Sequence, residues 1–202
     1  MPPGSTQLSG HRVAERLNGA LPGVVVDATD EWVEVEPSRL VEALRWLHDS
    51  PEFDAAQLSN CCGVDRYDHF VMVYHLQSLD LNHQIAVKAT VADHENPALP
   101  SAYPVYKGAL LQEREVYDLM GIRFDGHPDL RRIFLWEGFP GHPLRKDFLG
   151  LGNLSPGLAR FPFEDREHPD RLMNPTGIRR DAAARTASEQ DVPDDWRGVA
   201  PA

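Results

Sequence analysis

The chain has 202 residues, and its 42% hydrophobic and 25% charged residues are typical of a folded globular protein, which excludes disorder throughout. Its 31 Asp and Glu residues outnumber its 20 Lys and Arg residues, and the net charge of −11 argues against binding to nucleic acid or to anionic lipid. The longest apolar runs are too short to span a bilayer, and the first residues lack the features of a signal peptide. The two cysteines, Cys61 and Cys62, are adjacent, so we expect reduced thiols in a soluble intracellular protein.

The spacing of apolar residues and the positions of prolines predict the elements of the first half of the chain. In chain order they are a helix at 9–20, a hairpin of strands Val24–Val26 and Glu31–Val35, a helix from Pro37 to Ser50, and strands at about 55–65, 69–79 and 83–91. This order predicts an α+β fold, in which a mixed or antiparallel sheet has helices packed on it.

The second half is predicted to be less regular. We expect a loop at 92–104, a helix from Val105 to Met120 that ends at Gly121, and beyond it only a helical turn near 182–190. Three regions follow from this pattern: an α+β globular domain at 1–121, a charged loop region at 122–150 packed on that domain and on a partner, and an extended C-terminal tail at 151–202. Six of the 52 tail residues are prolines, and the apolar residues are scattered between them, so the tail is expected to become ordered as a strap on a neighbouring subunit.

The helix that ends at Met120 carries many charges. On a helical wheel Glu113 falls within the apolar arc, whereas Glu115 and Asp118 fall on the opposite side. A carboxylate on a buried arc needs a partner, so we predict that Glu113 forms a buried pair with an arginine further along the chain. The candidate arginines are Arg131, Arg132 and Arg145, and the other nearby cations are His127 and Lys146.

The same residues offer an alternative, a metal or acid–base site made of Glu113, Glu115, Asp118 and His127 in a stand-alone metal-dependent hydrolase. The spacing argues against it, because Glu-x-Glu does not place two ligands on one helix face and no histidine follows a carboxylate by three or four residues in this helix. The chain also lacks the sequence motifs of phosphate loops, dinucleotide folds, thiol redox centres and serine hydrolases. Residues 107–147 carry seven basic and seven acidic side chains, and a balanced block without a catalytic arrangement indicates an interface.

Two charged blocks resemble a known family. The first runs from Glu113-Arg114-Glu115 through Asp118 to Met120 and, after six residues, from His127 through Arg131-Arg132 to Ile133. The second is Gly141-His142-Pro143-Leu144-Arg145-Lys146-Asp147-Phe148. Together they resemble the signature of the 30 kDa subunit family of NADH–quinone oxidoreductase, respiratory complex I. The resemblance covers residues 56 to about 148.

The resemblance implies a scaffold subunit that supports electron transfer from NADH to quinone in a proton-translocating complex. In this family NADH, FMN, iron–sulfur clusters and quinone are bound by partner subunits, so the resemblance implies no cofactor, metal or catalytic residue here, and a purified chain that is colourless and redox-silent. The partners would be other subunits of the peripheral arm, chiefly the large subunit that helps to form the quinone site, on the cytoplasmic side of the inner membrane, with membrane contact only through the complex. The signature residues would then be structural or interfacial: Glu113, Arg114, Glu115, Asp118, His127, Arg131, Arg132, His142, Arg145, Lys146 and Asp147.

The family also has relatives with other electron donors. Equivalent subunits occur in membrane-bound hydrogenases and in complexes that oxidise ferredoxin or a deazaflavin. Leu149-Gly150 stands where the family has a Pro-Leu step, and Val105-Tyr106 stands where Val-Trp is usual, so the branch of the family stays open at this stage.

Overall fold

A computed structural model describes residues 5–148 of the chain. The chain divides into two compact units, and residues 5–135 and 141–148 belong to the first. Of the second unit the structure describes residues 136–140, a turn in which the Phe139 N–H donates to Trp136 O at 3.1 Å. The predicted tail at 151–202 and the helical turn near 182–190 lie outside the described residues.

Three helices and eight strands occur in residues 5–148. In chain order they are β1 Thr6–Gln7, α1 Gly10–Ala20, β2 Val25–Ala28, β3 Val33–Val35, α2 Leu40–Asp49, β4 Gln57–Asp65, β5 Phe70–Ser78, β6 His83–Val91, β7 Ala98–Pro100, α3 Ala109–Met120 and β8 Arg123–Asp125.

The main sheet has the strand order β2-β3-β6-β5-β4, with β1 also paired to β6. Strands β4, β5 and β6 are antiparallel to one another, whereas β1 and β3 run parallel to β6. Tyr74 in the central strand β5 lies opposite Cys61 on β4 and Val87 on β6. The predicted α+β fold, a mixed sheet with helices packed on it, is confirmed.

Alternation along β5 explains which face of the sheet carries the core. Phe70, Met72, Tyr74 and Leu76 are fully buried, and the residues between them are half-buried or exposed. Helix α2 adds Leu40, Ala43, Leu44 and Leu47 to the same core at helical spacing. A short 3₁₀ turn at Pro37–Arg39 precedes α2, as the proline at its first position favours.

Three short strands and one helix start differ from the predicted elements. Strand β1 was not predicted, β7 lies inside the predicted loop at 92–104, and β8 lies in the region expected to lack regular structure. Each has two or three residues, and β7 and β8 pair in parallel with each other, so local periodicity does not reveal them. Helix α3 begins at Ala109 instead of Val105, because residues 102–109 form turns in which Val105 and Tyr106 donate to Ala102 O.

Two glycines of α1 provide a matched test of the packing. A Cβ at Gly10 would lie 2.1 Å from Trp32 O and 2.5 Å from Thr29 O, whereas a Cβ at Gly19 meets nothing within 4 Å. We expect Gly10→Ala to lower the free energy of unfolding by about 3 kcal/mol, because two segments of backbone must separate. Gly19→Ala should raise it by about 0.5–1 kcal/mol through helix propensity. Urea denaturation of both variants measures this, and effects of the same sign would contradict the packing.

Candidate functional site

Helix α3 is covered on two sides, as its charge pattern predicts. Its core side contributes Ala109, Glu113 and Val116, all buried. Gly121 ends the helix with φ +80°, and a Cβ there would lie 2.6 Å from the His142 ring, so both the backbone conformation and the available space require glycine.

Glu113 is fully buried, but its partners are not the predicted arginines. Its Oε2 accepts a hydrogen bond from Ser101 Oγ at 2.6 Å, and its Oε1 accepts one from the Ala102 N–H at 2.6 Å. The predicted Glu113–arginine pair is therefore wrong. Burial raises the pKa of Glu113 to about 7, against the opposing effect of these two hydrogen bonds.

The candidate arginines have other partners in the described residues. Arg132 pairs with Asp118 at 2.9 Å, Arg131 pairs with Asp129 at 2.9 Å, and Arg145 pairs with Asp147 at 3.3 Å. The physical reason is that the Asp118 side of α3, not the Glu113 side, carries the loop with Arg131 and Arg132.

Asp118 holds that loop onto the helix. Its Oδ2 accepts hydrogen bonds from three successive backbone N–H groups, those of Ile133 (2.9 Å), Phe134 (2.7 Å) and Leu135 (2.9 Å). Its Oδ1 accepts one from Arg132 Nη1 at 2.9 Å. Burial raises the pKa of Asp118, but the three N–H donors and Arg132 outweigh it and the pKa lies below its usual value. The carboxylate therefore shapes four consecutive residues.

Arg114 and His127 hold the beginning of the same loop. Arg114 donates from Nε to Arg131 O at 3.1 Å and from Nη2 to Arg132 O at 3.0 Å. His127 Nε2 donates to Leu110 O at 3.0 Å, and its Nδ1 accepts from the backbone N–H at residue 129 at 3.0 Å. Both ring nitrogens of His127 are thus bonded to the chain's own backbone, in a single tautomer.

The residues of the alternative hydrolase site are not brought together. Within residues 5–148, no group of three or more His, Cys, Asp or Glu side chains is arranged to hold a metal ion. Glu113 and Asp118 have separate sets of partners, and Glu115 is exposed.

His142 covers the C-terminal end of α3. Its Nδ1 donates to Asp118 O at 2.9 Å, and the Leu144 N–H donates to Leu119 O at 2.9 Å, so two carbonyls of the last helical turn gain partners. Burial, together with the nearby charges of Arg132 and Arg145, lowers the pKa of His142.

Asp65 and His94, which the sequence analysis did not single out, anchor the second charged block. Arg145 Nη2 donates to His94 O at 2.8 Å, and the Lys146 N–H donates to Asp65 Oδ2 at 2.8 Å. Asp65 Oδ1 also lies 3.2 Å from His94 Nε2, and the His94 ring stacks on Phe70 at 4.5 Å. Ser101 and Ala102, the partners of Glu113, were missed as well. No local signal marks these residues, because their partners lie 11 to 81 positions away.

The first charged block thus leaves an apolar outer surface. With its backbone held by Asp118, the loop exposes 63% of Phe134 and 37% of Ile133. Leu111 on the helix and Leu144 after it are also exposed apolar residues. We call Leu111, Ile133, Phe134 and Leu144 the outer apolar residues.

Comparisons with known proteins match the described region. The family model described as the respiratory-chain NADH dehydrogenase 30 kDa subunit matches residues 33–153. A subunit of NADH-quinone oxidoreductase from Roseiflexus sp. (strain RS-1) is 43% identical over 147 residues, which cover 69% of this chain and 84% of that protein. The corresponding NADH-quinone oxidoreductase protein from Rhizobium etli (strain CIAT 652) is 40% identical over 154 residues, which cover 75% of this chain and 76% of that protein.

One solved structure with the same fold comes from a different complex. A chain of the membrane-bound sulfane sulfur reductase, an archaeal respiratory membrane complex, superposes with a TM-score of 0.57. The match covers 71% of this chain and 87% of that chain at 23% sequence identity, which shows a shared fold.

Proposed function

Because the chain belongs to the family of the 30 kDa subunit of respiratory-chain NADH dehydrogenase, we propose that it is a cofactor-free scaffold subunit of the peripheral arm of proton-translocating NADH:quinone oxidoreductase. One observation carries the scaffold role. Asp118, Arg114 and His127 of the signature bind the chain's own backbone and thereby give the loop at 131–135 a defined shape. A charged signature used in this way builds a surface instead of a catalytic centre.

The proposal assigns the chemistry to partner subunits. NADH, FMN, iron–sulfur clusters and quinone would be bound by them, and the large quinone-site subunit would be the chief partner. The complex would place this chain on the cytoplasmic side of the inner membrane. In the part of the chain that the structure describes, no helix is both long and apolar enough to cross a membrane.

The outer apolar residues are the proposed contact with the large quinone-site subunit. A preorganised loop loses little conformational freedom on binding, so exposed aromatic and aliphatic side chains on it are favourable anchors. Phe134 is the largest of them, and its backbone N–H donates to Asp118 at 2.7 Å. The side chain is therefore presented from a backbone that is already fixed.

Affinity purification of the tagged chain from its native membranes tests the assignment. We expect the quinone-site subunit and the NADH-oxidising subunits to co-purify. A hydrogenase-like large subunit without an NADH-oxidising partner would replace this assignment with the related membrane-bound complex. Recovery of the chain without any partner would contradict the scaffold role.

Phe134→Ala tests the proposed contact. We expect the partner subunits recovered with the tagged chain to fall by about 30-fold, the effect of losing an interface anchor worth about 2 kcal/mol. The midpoint of thermal unfolding of the variant should match that of the wild type, because the side chain is 63% exposed and its backbone contact remains. Leu79→Ala is the matched control, an exposed apolar residue after β5 (68% exposed), and should leave recovery unchanged. Equal recovery for both variants would exclude this surface as the contact.

A further inference from the structure

We propose that the buried carboxyl of Glu113, with the hydroxyl of Ser101 and the backbone N–H of Ala102, forms a binding site for a single proton, which the folded protein takes up from solvent and returns to it. This inference is independent of the proposed scaffold role.

The surroundings of Glu113 disfavour its charged form. The side chain is fully buried, and within residues 5–148 no Lys, Arg or His nitrogen forms an ion pair with it. The ionisable groups that face it from the sheet are Cys61 of β4 and Tyr74 of β5, and neither is a cation. A buried carboxylate without a cation tends to bind a proton instead.

The hydrogen-bond partners of Glu113 suit both protonation states. When the carboxyl is ionised, the Ser101 hydroxyl donates to Oε2 across 2.6 Å. When Oε2 carries the proton, it can donate across the same distance to Ser101 Oγ, which already accepts the Tyr103 N–H at 3.1 Å, while the Ser101 hydrogen rotates away. The Ala102 N–H donates to Oε1 in both states. The proton can therefore bind or leave without breaking the framework.

Two further observations support the site. The Tyr74 hydroxyl is fully buried and has no hydrogen-bond partner among the described residues, so polar capacity next to the site is unused. The pKa of Glu113 at about 7 means that solvent pH near neutrality changes its occupancy. Glu113 also raises the pKa values of both neighbours in the sheet, after the larger effect of burial on each.

Carbon-13 NMR of the full-length chain with labelled glutamate carboxyl carbons tests the proposal. We expect one signal to titrate with a midpoint near 7. That signal should be absent from Glu113→Gln and present in Glu115→Gln, the matched control two residues along the same helix. Ser101→Ala should raise the midpoint by about one pH unit, because it removes a donor that favours the ionised form.

Three results would overturn the proposal. They are a Glu113 signal that stays ionised throughout the range from acid to neutral pH, a signal that stays protonated beyond it, and a Ser101→Ala midpoint that falls or does not move. If Glu113→Gln does not fold, the Ser101→Ala shift supplies the assignment, because Glu113 is the carboxylate that accepts from Ser101.

Discussion

Asp118→Asn is expected to lower the free energy of unfolding by about 3 kcal/mol, because removing one partner of a buried charge pair leaves the other uncompensated. The asparagine amide would point one donor at Arg132, which is itself a donor, while its single oxygen accepts the backbone N–H groups that Asp118 now holds. Denaturant unfolding of the full chain at neutral pH measures the change. Glu115→Gln, at an exposed position of the same helix, should change the value by less than about 0.5 kcal/mol.

The pH dependence provides a second measurement on Asp118. Its folded-state pKa is lowered, so its contribution to stability is present above the pKa of the unfolded chain and is lost as the pH falls through the folded-state value. On acidification below about pH 4, the wild type should therefore lose more stability than Asp118→Asn. Parallel acid curves for the two proteins would show that Asp118 is not the acceptor of the loop's N–H groups.

Local periodicity was enough to predict the central elements of this fold. Helices α1 and α2 and strands β4 to β6 have long apolar patterns, and each lies within a few residues of its predicted position. The pairs of short strands could not be predicted in this way. Strands β7 and β8 have three residues each, and their pairing depends on a contact between Leu99 and Phe124 that lie far apart in the chain.

The candidate site was predicted in its position but not in its contacts. The wheel placed Glu113 toward the core, and the structure agrees. Sequence reasoning then sought a cation for it, because charged partners are visible as residue types. Backbone N–H groups are not visible in that way, since every residue except proline carries one. This is why Ala102 was missed as a partner of Glu113, and why Asp118 appeared to lie on the outer face until the loop at 131–135 was seen to cover it.

The second block shows the same limit over a longer distance. Asp65 and the backbone N–H of Lys146 are 81 positions apart, and neither belongs to a recognisable pair in the sequence. Only the fold, which brings the end of β4 next to the residues that follow α3, makes Asp65 and His94 partners of Arg145 and Lys146.

The free energy of unfolding of the wild type should fall, relative to that of Glu113→Gln, by about 3 kcal/mol between about pH 5 and about pH 8. The folded-state pKa of Glu113 is raised from 4.5 to about 7. Between these values the folded chain holds a proton that the unfolded chain has released, so raising the pH favours unfolding; above the folded-state pKa both states are ionised and the difference is constant.

Glutamine is a suitable replacement because it reproduces the protonated acid. Its oxygen can accept the Ala102 N–H, and its amide can donate to Ser101 Oγ, with no charge to desolvate. Glu113→Gln should therefore gain on the wild type as the pH rises, whereas Glu115→Gln should follow the wild-type curve throughout. Chemical denaturation at a series of pH values gives the two differences. A Glu113→Gln curve that runs parallel to the wild type would mean that Glu113 is ionised in the folded protein across this range and that its burial is stabilised by contacts stronger than two hydrogen bonds.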